Sequence, residues 1–153
     1  MNPIRNSAKA IIIRNEELLA IEARDDDGLW YLLPGGGQDP GETLIKALIR
    51  ECHEEIGTRV SPGDLIYVRE YIGKNHEFVS TDSNSHQIEF MFACTISEVY
   101  IPKTGHSPDV PQIGVRWLPI KDLMSYRLYP LSLRSVLMES SVKTFPVYLG
   151  DVN

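Results

Sequence analysis

The sequence predicts an α/β domain in which two helices cover a mixed β-sheet. Two observations lead there: short apolar runs rich in β-branched and aromatic residues recur between turn residues, and two later segments carry apolar residues at helical spacing instead. Length supports a single unit. At 153 residues one domain, 1–153, is expected, large enough to bury a core without disulfide or metal staples.

The elements follow in order. Ala8–Ile13 reads as a strand, Asn15-Glu16 as a turn and Leu18–Ala23 as the strand that pairs back. Asp25–Gly28 is a polar turn, and Leu29–Leu33 is a short strand stopped by Pro34. Gly35-Gly36-Gly37 then opens a loop that continues through Asp39, Pro40 and Gly41; glycine lets a backbone bend sharply and approach a ligand closely. From Thr43 to Ile56 the pattern is helical, with Ile45, Leu48, Ile49, Cys52 and Ile56 forming one apolar stripe and Gly57 a natural stop. Leu65–Ile72 and Gln87–Ile96 read as strands, separated by a polar, exposed loop over Lys74–Ser85. Val99–Pro111 is another loop, Val115–Leu118 a strand, Pro119–Met124 a helical turn and Leu131–Ser140 the second helix.

Composition narrows the partners. Apolar residues make up 42% and charged residues 24%, an ordinary globular balance. The net charge is −6 and no basic stripe stands out, so long nucleic acid would be repelled, whereas a small phosphorylated substrate is accessible if a metal supplies positive charge. Cys52 and Cys94 form no pairing motif, which fits a reducing compartment. The apolar run Ala10–Ile13 is too short for a signal peptide or membrane span, so a cytoplasmic location and no membrane partner are expected.

The chemistry concentrates on the first helix. Glu51, Glu54 and Glu55 fall within an arc of about 100° at roughly 100° per residue, away from the apolar stripe. Clustered carboxylates repel by about a kcal/mol per close pair even near a surface, so something positive belongs among them. Oxygen ligands suit Mg2+, Mn2+ or Ca2+ rather than Zn2+. Ala47, one turn before Glu51, is small enough to leave room for a ligand. Glutamates on a helix are usually just a solvated face, and Arg50 with Glu54 is an ordinary i,i+4 pair. Their spacing from the glycines decides between these readings.

Gly36, five residues, Glu42, seven residues and then Arg50-Glu51-Cys52-His53-Glu54-Glu55-Ile56-Gly57-Thr58 resembles the Nudix box, G-x5-E-x7-R-E-U-x-E-E-x-G-U, with U a bulky aliphatic. All seven specified non-aliphatic positions match, a coincidence on the order of 10⁻⁸ at one register when each residue type has roughly 6–7% usage. Cys52 and Thr58 depart from the aliphatic positions; Cys52 still serves as a small hydrophobe. Trp30–Gly37 and Trp117-Leu118-Pro119 resemble flanking features of the same family.

The resemblance implies an α/β/α sandwich with a mixed sheet and a loop-helix-loop catalytic box. It further implies that Glu51, Glu54 and Glu55, with the Gly36 carbonyl, hold Mg2+ (or Mn2+), that Arg50 orients the glutamates and that Glu42 stands behind Arg50. The implied reaction is attack of water on a phosphorus of a diphosphate, with Glu54 or Glu55 as the first choice of base. Glu89 is a later candidate for base or substrate contact, because a charge in the apolar strand Gln87–Phe92 needs a partner or a site; a structural ion pair explains it equally well. His86, Arg24 and Arg69 are candidate substrate contacts, as are Arg5 and Lys9, against a background of ordinary surface charge. Trp30, Tyr31 and Phe78 could stack on a base, with core packing the simpler role.

The box specifies chemistry and leaves the leaving group open. A nucleoside diphosphate linked to another group, such as ADP-ribose or a nucleotide sugar, is the first reading. The second is a nucleoside triphosphate, as in housecleaning members. A third, of another class, is a ligand-sensing module without turnover, which predicts damaged acids. Homodimers are frequent in the family.

Overall fold

The computed structural model describes residues 2–109 and 111–153; Val110, inside the expected 99–111 loop, lies outside the described residues. Strands β1 (Arg5–Arg14), β2 (Glu17–Asp25), β3 (Gly28–Leu32) and β4 (Gly35–Gly37) precede helix α1 (Leu44–Ile56). Strand β5 (Ser61–Ile72), a 3₁₀ turn at Gly73–Asn75, the single turn α2 (Val79–Asp82) and strand β6 (His86–Thr95) follow. The chain closes with β7 (Gln112–Pro119), a 3₁₀ segment (Ile120–Ser125), β8 (Leu128–Tyr129), α3 (Ser132–Glu139) and β9 (Tyr148–Asp151). Among the described residues no helix is long and apolar enough to cross a membrane.

The sheet forks at β1. Its last residues pair antiparallel with β2, through Ile13↔Leu18 and Arg14↔Glu17. Before them, Ser7 to Lys9 take β4 antiparallel on one side and Arg5 to Ile12 take β6 parallel on the other. One arm is therefore β4-β1-β6-β5-β9 and the other β8-β3-β2-β7. The Asn15-Glu16 turn joins the arms with φ of +52° and +62°, the left-handed pair that a tight two-residue hairpin requires.

Period-2 alternation assigns each face of β1 to a different core. Ala8, Ala10 and Ile12 pack with Leu48, Cys52 and Ile56 of α1. Ile11 instead joins Met91 of β6 and Leu133 and Leu137 of α3. The helices thus cover opposite faces, giving the α/β/α sandwich. Each fully buried leucine or isoleucine in these layers stabilises by about 1.5–3 kcal/mol.

Local chemistry sets the ends of α1. The Lys46 amide donates to Thr43 Oγ1 at 3.2 Å, and Gly57 stops the helix at φ +70°. The buried stripe differs from the sequence expectation at two positions. Ile45 is 37% exposed, while Ala47 is fully buried and joins the covered side of α1.

Three other expectations change. Gly35–Gly37 forms β4 rather than a loop, because the free edge of β1 supplies a hydrogen-bonding partner. Lys74–Ser85 is more ordered than an exposed loop: the Gly73 amide donates to Ser85 O at 2.9 Å and Phe78 packs edge-on to Tyr129. Strand β9, absent from the sequence reading, adds in parallel to the outer edge of β5.

Candidate active site

Arg50 is the hub of the acidic edge. Its Nη2 reaches Glu42 Oε1 at 2.6 Å and Nε reaches Glu42 Oε2 at 3.2 Å, a two-point grip. Nη1 donates to Glu51 Oε1 at 2.9 Å and lies 3.7 Å from Glu54 Oε1. Nη2 also donates to the Gly37 carbonyl at 3.0 Å, tying α1 to β4. This guanidinium holds the Glu42 carboxyl below the usual carboxylate range. Gly36 stands opposite Ala8 in the ladder, and a Cβ there would sit 2.5 Å from the Glu51 carboxylate, so only glycine lets this acid reach the strand.

Glu55 is different. It is 4% exposed and accepts from the Gly35 amide at 2.7 Å. Burial pushes its carboxyl up to about 7, with Asp109 and Glu51 adding to the rise and Lys9 and the Gly35 amide opposing it. A carboxyl poised near neutrality at this place is suited to proton transfer.

Among the described residues, no three His, Cys, Asp or Glu side chains converge as metal ligands would. Glu51, Glu54 and Glu55 all lie on α1, but Arg50 draws Glu51 and Glu54 toward itself while the Gly35 amide holds Glu55. The donors present are all oxygens, and one of them is an acid whose charged form is disfavoured by burial and, less, by its acidic neighbours, a set that fits a hard divalent cation.

A cleft of about 380 Å³ opens beside this edge. Gly35 and Gly36 form its border toward the acids, while Glu51, Glu54 and Glu55 are not among its lining residues. Part of its lining is aromatic: Trp30 and Phe78 both meet Tyr129 edge-on, at 6.0 and 5.6 Å. Tyr31 is 3% exposed, packs in the core and donates its hydroxyl to Glu22.

Glu89 and Arg69 lie in the floor, both buried, joined at 2.7 Å. The two explanations offered for Glu89, ion pair and cleft position, thus coincide. Burial alone would raise its carboxyl; Arg69, with Lys9 and Arg5 beyond, outweighs this and holds it below the ordinary range. Arg69 also donates to Val152 O at 2.6 Å, pinning the segment after β9 to the cleft.

Two sequence candidates stand elsewhere. Arg24 is exposed on β2 and is not among the cleft residues, since its neighbour Asp25 takes the inward direction and pairs with Arg127. His86 bonds Glu70 Oε2 at 2.8 Å, at the outer end of β6. Ser7, Gln87, Asp109 and Arg127 line the cleft without having been singled out. For Ser7 and Gln87 the available signal was strand alternation, two residues from Lys9 and Glu89; Asp109 and Arg127 sit outside any periodic pattern.

Comparison with known proteins agrees with this geometry. A family model described as the NUDIX domain matches residues 3–137. Phosphatase NudJ of Escherichia coli K12 is 26% identical over 139 residues, covering 89% of this chain and 83% of that protein. Human 8-oxo-dGDP phosphatase NUDT18 is 47% identical over 58 residues, which is 37% of this chain but only 18% of the human protein. Among solved structures, a NUDIX hydrolase from Nitrosomonas europaea superposes with a TM-score of 0.70 at 18% identity, over all of this chain and 80% of that one. An ADP-ribose pyrophosphatase from Streptococcus suis superposes with a TM-score of 0.62 at 17% identity, over 96% and 98% of the two chains. At such identities the superpositions speak to the fold, whereas the family match spans most of the chain and contains the glycine strand and the acidic helix together. The chain belongs to the NUDIX domain family.

Proposed function

We propose that the protein hydrolyses the diphosphate linkage of a nucleoside diphosphate derivative, such as ADP-ribose or a nucleotide sugar, in the presence of Mg2+ or Mn2+. The observation that carries this reading is one cleft whose lining includes both an aromatic group, Trp30, Phe78 and Tyr129, and the Gly35–Gly36 border of the acidic edge. Its volume lies in the ordinary range for small-molecule sites. The aromatic group offers π faces to a base, and the glycine border lets the linked phosphates approach the acids.

Glu51, Glu54 and Glu55, with the Gly36 carbonyl, would hold the cation. Bound there, it would neutralise charge on the phosphates and lower the pKa of a water. Arg50, backed by Glu42, keeps Glu51 turned toward the strand. Glu54 or Glu55 takes the proton from the attacking water: Glu54 is the more open of the two, and burial pushes the Glu55 carboxyl up to about 7. Glu89 is a poorer base because its pairing with Arg69 favours the charged form.

The 58-residue likeness to an 8-oxo-dGDP phosphatase supports a second reading, in which the substrate is an oxidised nucleotide of the housecleaning kind. A sensing module without turnover would not need the complete acid set present here.

The test is turnover of a panel of nucleoside diphosphate derivatives and triphosphates with Mg2+ or Mn2+. The expected result is release of phosphate products that requires the metal and falls about 10²–10⁴-fold in Glu54→Gln or Glu55→Gln. Turnover that persists in EDTA, or that both variants retain, would refute the assignment.

A further inference from the structure

Strand β1 carries Arg5, Ser7 and Lys9 on one face, since residues two apart point the same way. That face is the cleft face, and all three line the cleft; Ala8 and Ala10 face α1. The row runs beside β4 in register, with Ser7 opposite Gly37 and Lys9 opposite Gly35. A Cβ on Gly37 would lie 2.6 Å from the Arg5 guanidinium, whereas a Cβ on Gly36 would strike Glu51. The glycine strand therefore has acids on one side and cations on the other.

The members of this row are underused. Arg5 has no ion pair or side-chain hydrogen bond among the described residues, although its five donors can make several. Lys9 donates once, to the Gly35 carbonyl at 3.2 Å, leaving two of its three donors. Ser7 is 2% exposed and its hydroxyl has no partner among the described residues. A buried hydroxyl without a partner is costly, so one is retained where something else completes it. The other two cleft arginines are already matched, Arg69 to Glu89 and Arg127 to Asp25.

We propose that Arg5, Ser7 and Lys9 form an anion cradle that binds the substrate's phosphates from the side of β4 opposite the acidic helix, without the help of a metal. This rests on the reading of the cleft as a nucleotide site and extends it. The class of ligand is a nucleoside carrying two or more phosphates, because two cations with spare donors, spaced four residues apart along a strand, suit a chain of anions better than one.

The experiment is equilibrium binding in EDTA, where the acidic edge cannot recruit phosphate through a cation. The probes are ADP and GDP, each against its own nucleoside. In the unmodified protein at least one diphosphate should bind about tenfold or more tighter than its nucleoside, and the advantage should shrink as salt is raised. Arg5→Gln and Lys9→Gln should each remove most of that advantage while leaving nucleoside binding unchanged, and Ser7→Ala should remove a smaller part. Arg5 is exposed, so its variant should fold even where Ser7→Ala disturbs the floor. Equal binding of diphosphate and nucleoside by the unmodified protein would overturn the cradle, as would both charge variants keeping the full advantage. Either failure could stand beside intact Mg2+-dependent turnover, so loss of the cradle and loss of the hydrolase assignment are separately visible.

Discussion

Arg50 and Arg69 both hold glutamates, but under opposite terms. Arg50 has four carboxylates within 4.0 Å, those of Asp39, Glu42, Glu51 and Glu54, and about a third of its side chain is exposed. Arg69 has one, Glu89, and both partners are buried. The first cluster carries surplus negative charge beside water, an arrangement that further positive charge would stabilise. The second is paired one to one and buried, and it joins β5, β6 and the segment after β9. One arginine keeps acids in waiting, and the other holds a wall in place.

The largest effect should come from breaking the balanced pair. Arg69→Met leaves Glu89 buried without its partner and should cost about 3–5 kcal/mol of stability, measured by urea unfolding. Adding Glu89→Leu should recover most of the loss. If the single variant unfolds like the unmodified protein, the pair is not structural and the contrast collapses.

Next comes the hub. Arg50→Gln should lower Mg2+-supported turnover about 10–100-fold, because Glu51 loses the group that turns it toward Gly36. Arg50→Lys should restore only part, since an ammonium cannot reproduce the two-point grip on Glu42. Its unfolding midpoint should move less than that of Arg69→Met, the site being open to solvent.

Acid sharpens the same contrast. Glu89 titrates below its ordinary 4.5 in the fold. Its contribution to stability is thus present above that pH and is lost as the pH falls through the lower folded value. The stability gap between the unmodified protein and Glu89→Gln should therefore be full near neutrality and should close below about pH 4.5, by at most about 1.4 kcal/mol per pH unit. A gap constant down to pH 3 would show that Glu89 is not held ionised by Arg69.

The smallest effect belongs to the exposed Arg127–Asp25 pair at the cleft mouth. Asp25→Asn should leave the unfolding midpoint where it is. A marked shift would mean that charge at the mouth matters as much as charge in the floor.

The geometry of α1 was legible in sequence because a helix is a local object: spacing alone places Glu51, Glu54 and Glu55 in one arc and Leu48, Cys52 and Ile56 in another. Pairing was not legible. Nothing near Glu89 in the chain names Arg69, twenty residues earlier on the neighbouring strand. Gly35–Gly37 read as a loop because three glycines have no strand preference of their own; the open edge of β1 makes them a strand. Arg24 and Arg5 looked alike in sequence, and only the fork of the sheet turned one to bulk solvent and the other to the cleft.

By itself the sequence determined the α/β class, the capped acidic helix and the family, since periodicity, capping and motif spacing are properties of neighbouring residues. The tertiary structure alone decided which cations face the cleft, that Glu55 is buried deeply enough to titrate near neutrality, and that Glu89 is matched. Those outcomes depend on desolvation and on contacts between strands far apart in the chain, which no local pattern encodes.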